Sequence, residues 1–364
     1  MSKKRVAVCF GGKSSEHDIS ILSAGFIYQS LDRNQFEPLA IYVDPYGRFF
    51  LLVPSPNQLP TKRSEFKQLA KKALMFRPGE THPIYTNDGH PLDIDVFFPV
   101  LHGPNGEDGT MQGLLRLLNI AFVGCDVLGS ALSMDKAMMK PVLSANQIAT
   151  ARYILVEPHT RNNIDLNKVF EKLGSTVFVK PSRQGSSVGV SRCTSIKLEL
   201  LPALELAFQY DSKVLIEEAI IGREIECSVL GNSQPAASIP GEVLPKKDGF
   251  YSYEAKYIDA DGATLQIPAK LTEQEIERVQ ETALQTYRAL DCEGLARVDV
   301  FLKEDGEVIV NEVNTMPGFT SISMYPKMWQ ESGVSPVSLV SQLVELSIQR
   351  HEFQNSLKTN LTSI

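Results

Sequence analysis

Two alternating runs near the C-terminal end, Leu295 to Leu302 (LARVDVFL) and Glu307 to Asn314 (EVIVNEVN), flank Asp305-Gly306. Asp-Gly favours a two-residue hairpin turn, and apolar residues at period two suit the strands on either side. With that turn Asp299 lies opposite Glu312 and Arg297 opposite Asn314, all on one side of the sheet. Directly opposed residues place their Cβ atoms roughly 5 Å apart. Two carboxylates that close repel each other unless a proton or a cation lies between them. The side-chain oxygen of Asn314 beside them favours a hard divalent ion, because magnesium takes oxygen ligands and shares them with substrate phosphates. The same residues also suit an edge hairpin whose acids face water, with Arg297 neutralising one of them.

A second segment, Val177 to Val190 (VFVKPSRQGSSVGV), puts Lys180 at the end of one strand and a Gly/Ser-rich loop before the next. Backbone amides in such a loop can face phosphate oxygens, and the ammonium supplies a point charge. In a P-loop the lysine follows the glycines and a helix comes next; the strand-loop-strand order here suits a loop that covers phosphates from above. An ordinary hairpin with small residues at its tip has the same composition. Glu16 follows the turn Gly11 to Ser15, where a carboxylate either stabilises a helix start or binds a substrate ammonium. Thr315 to Ser323 offers glycine and hydroxyls that could hold an anion, or is a plain loop. Lys246 to Tyr257 combines Asp248-Gly249 with aromatics, as in a lid or in a solvent loop with packed tyrosines. His102 to Gly109 has the form of a strand-to-helix ligand loop, although a single histidine is commonly structural.

The elements that must position these groups follow from length and pattern. A chain of 364 residues is long enough for two or three cores, and 43% hydrophobic with 22% charged residues is ordinary for a folded protein. A net charge of -7 without a basic stripe argues against nucleic-acid or membrane partners. The five cysteines are scattered and never in CxxC spacing, so they read as buried thiols rather than a disulfide or zinc framework. Val6–Phe10 is too short for a signal-peptide core and reads as a first strand. It opens a parallel α/β unit whose helix carries Ile19, Leu22, Phe26 and Ile27 on one face. Val53 to Pro60 and Arg77 to Pro91 read as loops, and Ile94–Leu101 as the next strand. Short strands at Val177–Lys180, Val188–Ser191 and Val214–Glu217 mark a change of texture. Thr272 and Glu275 fit a capping box, and a last helix spans about Ser338 to Gln349 before a frayed tail. The expected class is α/β in three domains: a parallel α/β domain over 1–133, a smaller α+β domain over 134–220, a C-terminal domain over 221–350, and a tail over 351–364.

Taken in order, the segments GGKSSEH from Gly11, HGPNGEDG from His102, SMDK ending at Lys136, the Lys180 loop, EAKY ending at Tyr257 and NEVNTMPG ending at Gly318 resemble the ATP-grasp superfamily and, within it, the D-alanine–D-alanine ligase family. The resemblance covers nearly the whole chain and implies a two-lobed ATP-grasp fold behind the N-terminal domain. It implies that Lys136 and Lys180 contact ATP phosphates under the loop Gln184 to Gly189, which includes Ser187. Glu217 and Glu218 fall where adenine is held, Glu224 where ribose is held, and Asp299, Glu312 and Asn314 on the ligands of two magnesium ions, with manganese as a substitute. Glu16, supported by Ser186 and Tyr257, would bind the ammonium of a first D-alanine. Lys256, which also falls among the nucleotide-site residues, would hold the carboxylate of the second together with Ser323 and the Met324 backbone. Arg297 and the Gly318 amide would stabilise charge developing on the reacting carboxyl. The implied enzyme makes a peptidoglycan precursor in the bacterial cytoplasm through an acyl phosphate and acts as a homodimer. A D-lactate-utilising ligase, or another carboxylate–amine ligase of this superfamily, is the alternative. A dinucleotide-binding oxidoreductase fits poorly, because Gly11-Gly12-Lys13-Ser14 lacks the GxGxxG spacing.

Overall fold

The structure, a computed structural model, describes residues 3–53, 57–69, 71–161, 164–245 and 263–358. Lys256, Tyr257 and the rest of the expected 246–257 lid lie outside the described residues.

The apolar run after Arg5 is buried on both faces, as a central parallel strand requires. It forms β1 (Lys4–Gly11), followed by β2 (Phe36–Val43), β3 (Phe49–Leu52), β4 (Lys71–Phe76), β5 (Ile84–Thr86), β6 (Val96–Val100) and β7 (Ala121–Phe122). These lie in the order β5-β4-β3-β2-β1-β6-β7. The β2-β1-β6-β7 half is parallel, while β3, β4 and β5 extend it as an antiparallel meander. The stretch read as a loop from Arg77 to Pro91 thus contains the short strand β5, whose Ile84 is buried; its polar flanks hid it. Helices α1 (His17–Ser30), α2 (Thr110–Leu117), α3 (Val127–Met134) and α4 (Lys136–Ala145) complete this part of the chain.

A four-stranded antiparallel sheet follows, built from β8 (Tyr153–Val156), β9 (Val177–Pro181), β10 (Ser191–Cys193) and β11 (Val214–Glu218) in the order β10-β9-β11-β8. Helices α5 (Leu166–Leu173) and α6 (Leu201–Ala207) contribute to its own apolar cluster, with Val169, Val179, Leu204 and Ile216 inside. The expected strand at Val188–Ser191 is displaced: backbone turns occupy 187–189, and pairing starts only at Ser191. Gly189, inside the expected strand, is left-handed at φ 70°, as are Ser186 and Ser187 just before it at φ 52° and 59°, so the chain is not extended until after Gly189.

The third sheet consists of β12 (Arg223–Gly231), β13 (Ala236–Ala237), β14 (Gly241–Pro245), β15 (Ala263–Gln266), β16 (Gly294–Leu302) and β17 (Val308–Asn314). Its order is β15-β14-β12-β16-β17, with β13 beside β12. Helix α7 (Glu273–Ala289) has the capping box read from sequence: the Glu275 amide donates to Thr272 Oγ1, and the Thr272 amide to Glu275 Oε2 at 2.7 Å. Helices α8 (Met324–Glu331) and α9 (Pro336–Ser356) follow, the last running beyond Gln349 to Ser356.

The hairpin joining β16 and β17 departs from the two-residue turn in an instructive way. Lys303 N donates to Glu307 O at 3.0 Å and Gly306 N to Lys303 O at 2.9 Å, so Glu304, Asp305 and Gly306 form a three-residue loop, with Gly306 left-handed at φ 82°. Near the loop the register is therefore one residue off, with Leu302 opposite Val308 and Val300 opposite Val310. A bulge then inserts Asn311 and restores Asp299 to Glu312 and Arg297 to Asn314.

One apolar cluster joins the first sheet to the C-terminal helices, with Val8, Phe10 and Ile27 packed in the same core as Phe319, Tyr325, Trp329 and Leu343. Arg350 of α9 reinforces this junction from within. It is 6% exposed, donates to the carbonyls of Phe122 and Gly124, and lies over the Phe122 ring at 4.5 Å. Truncation to Arg350→Met leaves two buried carbonyls without donors, and we expect a loss of about 3 kcal/mol in urea unfolding. A change below about 0.5 kcal/mol, the range of an ordinary surface substitution, would contradict this assignment.

Candidate active site

The three sheets enclose two adjoining cavities of about 650 and 160 Å³, which share Lys136, Gln184, Glu226 and Glu312 as a common wall. The smaller is lined by Lys180, Ser187, Glu217, Glu218, Glu224 and Asp299. The larger is lined by Glu16, Ser186, Arg297, Asn314, Gly318 and Ser323, with Met324 beside them. The candidates read from sequence thus separate into a set suited to phosphates and cations and a set suited to a small zwitterion. Glu312 stands between them.

In the smaller cavity Glu217, Glu218, Glu226, Asp299 and Glu312 each have a cationic partner. Lys180 Nζ, at the end of β9, lies 2.6 Å from Glu217 Oε2, and Lys140 Nζ lies 3.2 Å from Glu217 Oε1. Burial alone would raise the Glu217 pKa, but these two ammonium groups hold it below its ordinary value. Glu218 instead takes the backbone amide and guanidinium of Arg152, each at 2.7 Å. Lys136, the first residue of α4, is 3.2 Å from Glu312 Oε2 and donates to Gln184 O at 3.0 Å, tying α4 to the loop after β9.

At the border of the two cavities Arg297 grips Asp299 with two hydrogen bonds of 2.7 Å and approaches Glu226 Oε2 at 2.9 Å. Burial disfavours its charge, yet Asp299 and Glu226 outweigh burial and keep the guanidinium protonated. Asn314 Nδ2 donates to Asp299 Oδ2 at 2.9 Å. Among the described residues no three His, Cys, Asp or Glu side chains cluster as a metal centre. The set here is two carboxylates and an amide, all hard oxygen donors of the kind magnesium takes.

In the larger cavity Glu16 stands at the N-cap position of α1, but its side chain does not cap the helix. It accepts the Ser186 hydroxyl from the Lys180 loop, across 170 residues of chain. Gly103 is required beneath it, since a Cβ there would sit 2.6 Å from Glu16 Oε2 on a backbone with φ 74°. Ser323, at the N-cap position of α8, accepts the Thr320 amide at 3.0 Å and thereby shapes the loop after β17.

Comparison with known proteins matches residues 5–125 to the family model "D-ala D-ala ligase N-terminus" and 142–345 to "D-ala D-ala ligase C-terminus". The chain belongs to the D-alanine–D-alanine ligase family. It is 49% identical to D-alanine--D-alanine ligase of Shouchella clausii (strain KSM-K16) over 99% of both chains. It is 44% identical to D-alanine--D-alanine ligase A of Escherichia coli (strain K12), over 99% of this chain and 100% of that one. Among solved structures, the D-alanine-D-alanine ligase from Coxiella burnetii superposes with a TM-score of 0.86 at 35% identity, covering 97% of each chain. VanG D-Ala:D-Ser ligase from Enterococcus faecalis superposes at 0.87 and 33% identity, over 95% of this chain and 100% of that one. The fold of this family member is therefore the ATP-grasp fold.

Several residues of the site were not singled out from sequence. Asn311 lines the smaller cavity and accepts from Lys180 Nζ at 3.4 Å, because the bulge turns it to the same side as Glu312; a regular ladder would have sent it to the other. Glu226 comes from β12, whose register sets it opposite Asp299, a pairing with no local signal. Lys140 is one helical turn after Lys136, a spacing that could have flagged it.

His102 and Glu107 join the loop after β6 to the loop after β17. His102 bonds Met316 O at 2.9 Å and Ser23 Oγ at 3.0 Å, while Glu107 accepts the amides of Gly103 at 2.8 Å and Met316 at 3.2 Å. Burial, with Glu16 adding repulsion, pushes Glu107 up to about 8. A carboxyl raised in the fold from an ordinary unfolded value stabilises fully below that lower value, and the contribution is lost as pH rises through 8. Folding stability should therefore fall between about pH 5 and 8, by at most about 1.4 kcal/mol per pH unit from this one group. Glu107→Gln should flatten that slope in urea titrations across the range. An unchanged slope would remove Glu107 as its source.

Proposed function

We propose that this chain uses ATP to join two D-alanine molecules into D-alanyl-D-alanine, a peptidoglycan precursor, through an acyl phosphate. The observation that carries the reading is the division of the cleft. Phosphate-type lysines and Asp299 line one cavity, Asn314 and a carboxylate suited to an ammonium line the other, and Glu312 lies on the wall between.

Lys136 and Lys180 bind nucleotide phosphates beneath Gln184 to Gly189, including Ser187, with Glu217 and Glu218 beside adenine and Glu224 beside ribose. Asp299, Glu312 and Asn314 would hold magnesium, two ions in all with manganese as a substitute. When bound, the metal neutralises charge on the transferring phosphoryl group. Arg297 lies 2.7 Å from Asp299 and Lys136 3.2 Å from Glu312, opposite charges that offset the repulsion between the two carboxylates and support this donor set. Glu16 with Ser186 orients the ammonium of the first D-alanine, and its carboxylate attacks the γ-phosphorus, releasing ADP. The second amine then attacks the acyl carbon, and phosphate leaves from a tetrahedral intermediate. Arg297 and the Gly318 amide stabilise the oxyanion of that intermediate, while Ser323 and the Met324 amide hold the second carboxylate. Lys256 and Tyr257 belong to the same reading from outside the described residues. The domains we assign are 1–133, 134–220 and 221–350 with the tail 351–364, into which α9 extends as far as Ser356. The resemblance also carries a homodimer acting in the cytoplasm; no helix among the described residues is long and apolar enough to cross a membrane.

The direct test supplies ATP and magnesium with D-alanine, L-alanine, D-alanine plus D-serine, or D-alanine plus D-lactate, following phosphate release and product mass. Release with D-alanine alone and a D-alanyl-D-alanine mass is expected. A mixed product formed in preference would move the second substrate to serine or lactate. In the same assay Glu312→Gln should lower kcat by about 100-fold or more with its circular dichroism unchanged, since a charged metal ligand is lost. Near-normal turnover with unaltered magnesium dependence would refute the metal assignment. Glu16→Gln should chiefly raise the KM for the first D-alanine, by about tenfold or more for a lost charge-assisted hydrogen bond. An unchanged KM would free Glu16 from that role.

A further inference from the structure

Lys140 touches the nucleotide side of the cleft without lining either cavity. On α4, one turn after Lys136, it is 1% exposed, an uncommon burial for a lysine. Its Nζ donates to Ala151 O at 3.0 Å, lies 3.2 Å from Glu217 Oε1, and sits 5.4 Å from the Tyr153 ring centroid. The other oxygen of Glu217 is 2.6 Å from Lys180 Nζ. One buried carboxylate thus divides its oxygens between two ammonium groups. Lys180 lines the smaller cavity and reaches Asn311 Oδ1, whereas Lys140 is walled off from it.

This asymmetry has an electrostatic consequence. In a weakly screened interior a carboxylate with a single counter-cation holds that cation tightly, because separating them would strand a buried charge. A phosphate oxygen competing for Lys180 would have to meet that cost. With Lys140 fixed on Oε1, the charge of Glu217 stays compensated when Lys180 turns away, and the exchange becomes inexpensive. Burial holds the Lys140 pKa below its ordinary value, with Glu217 opposing that shift.

We propose that Lys140 is a positioning residue for nucleotide binding: the permanent counter-cation of Glu217 that allows Lys180 to exchange Glu217 Oε2 for a nucleotide phosphate. The proposal rests on the ATP reading of the smaller cavity. It predicts a defect in phosphate binding specifically, since Lys140 acts on the lysine that meets the phosphates. A buried ion pair kept only for stability would instead alter the whole pocket.

The test is calorimetric binding of magnesium ADP and of adenosine to the full chain, in the wild type, Lys140→Met, Lys140→Arg and Lys140→Met/Glu217→Gln. The ratio of ADP to adenosine affinity is the readout, because it cancels any contact Glu217 itself makes with the base. Lys140→Met should lower that ratio by about 30-fold, as expected when a phosphate lysine is trapped by an exclusive buried partner. The KM for ATP should rise more than kcat falls. Lys140→Arg should keep the ratio within about threefold of wild type, and so should the double variant, in which trap and counter-cation are both removed. An equal loss of ADP and adenosine affinity in Lys140→Met, or no loss, overturns the proposal. Should Lys140→Met not fold, the double variant decides, and a ratio more than about tenfold below wild type there overturns it, because no trap remains to explain the loss. Wild-type protein that binds neither probe would instead sink the ATP reading of the cavity.

Discussion

Two carboxylates set side by side on adjacent strands are the constraint around which the cleft is arranged. Asp299 and Glu312 are opposed in the β16–β17 ladder, in a site shielded enough that their repulsion is poorly screened. Each is compensated from a different element. Arg297, two residues along the same strand, grips Asp299, and Lys136 reaches Glu312 from the start of α4. Glu226 on β12 shares Arg297, so two neighbouring strands are joined through one guanidinium. The pattern repeats deeper in the cleft, where Glu217 divides itself between Lys180 and Lys140. The cleft is therefore built from matched charges rather than from a surplus of one sign.

The larger cavity depends on a different device, the joining of loops remote in sequence. The loop after β6 holds the loop after β17 through His102 and Glu107, which bond the carbonyl and the amide of the same residue, Met316. Ser23 completes the junction by accepting the Phe319 amide. Phe319 packs in the core shared by the first sheet and the C-terminal helices. These bonds fix where Gly318 and Ser323 stand relative to Glu16, and the contact from Ser186 brings the central sheet to the same point. Three sheets thus converge on one small volume because their connecting loops, more than their strands, are cross-linked.

How far the chain itself disclosed this can be judged at particular residues. The alternation in β16 and β17 was legible and gave the correct opposition of Asp299 and Glu312, but through two departures that cancel. The loop has one residue more than Asp-Gly suggests, and the bulge at Asn311 restores the register. A bulge is a local rearrangement of hydrogen bonds with no compositional mark of its own, so Asn311 could not be placed from its neighbours. Likewise β5 was concealed by polar flanks, and the left-handed Gly189 shifted the strand expected at Val188.

The sequence by itself determined the α/β class, the capping box of α7, the buried thiols and the motifs that place the chain in its family, because each depends on residues close together along the chain. Only the tertiary structure decided which partner each charge takes. Glu217 turning to Lys180 and Lys140 while the adjacent Glu218 turns to Arg152 is a matter of strand pairing and burial, as is Glu16 meeting Ser186 rather than capping its own helix. Neighbours in a strand point to opposite faces, and what awaits them on each face is brought there by distant segments. Long-range electrostatic pairing is therefore settled by packing, which local pattern does not encode.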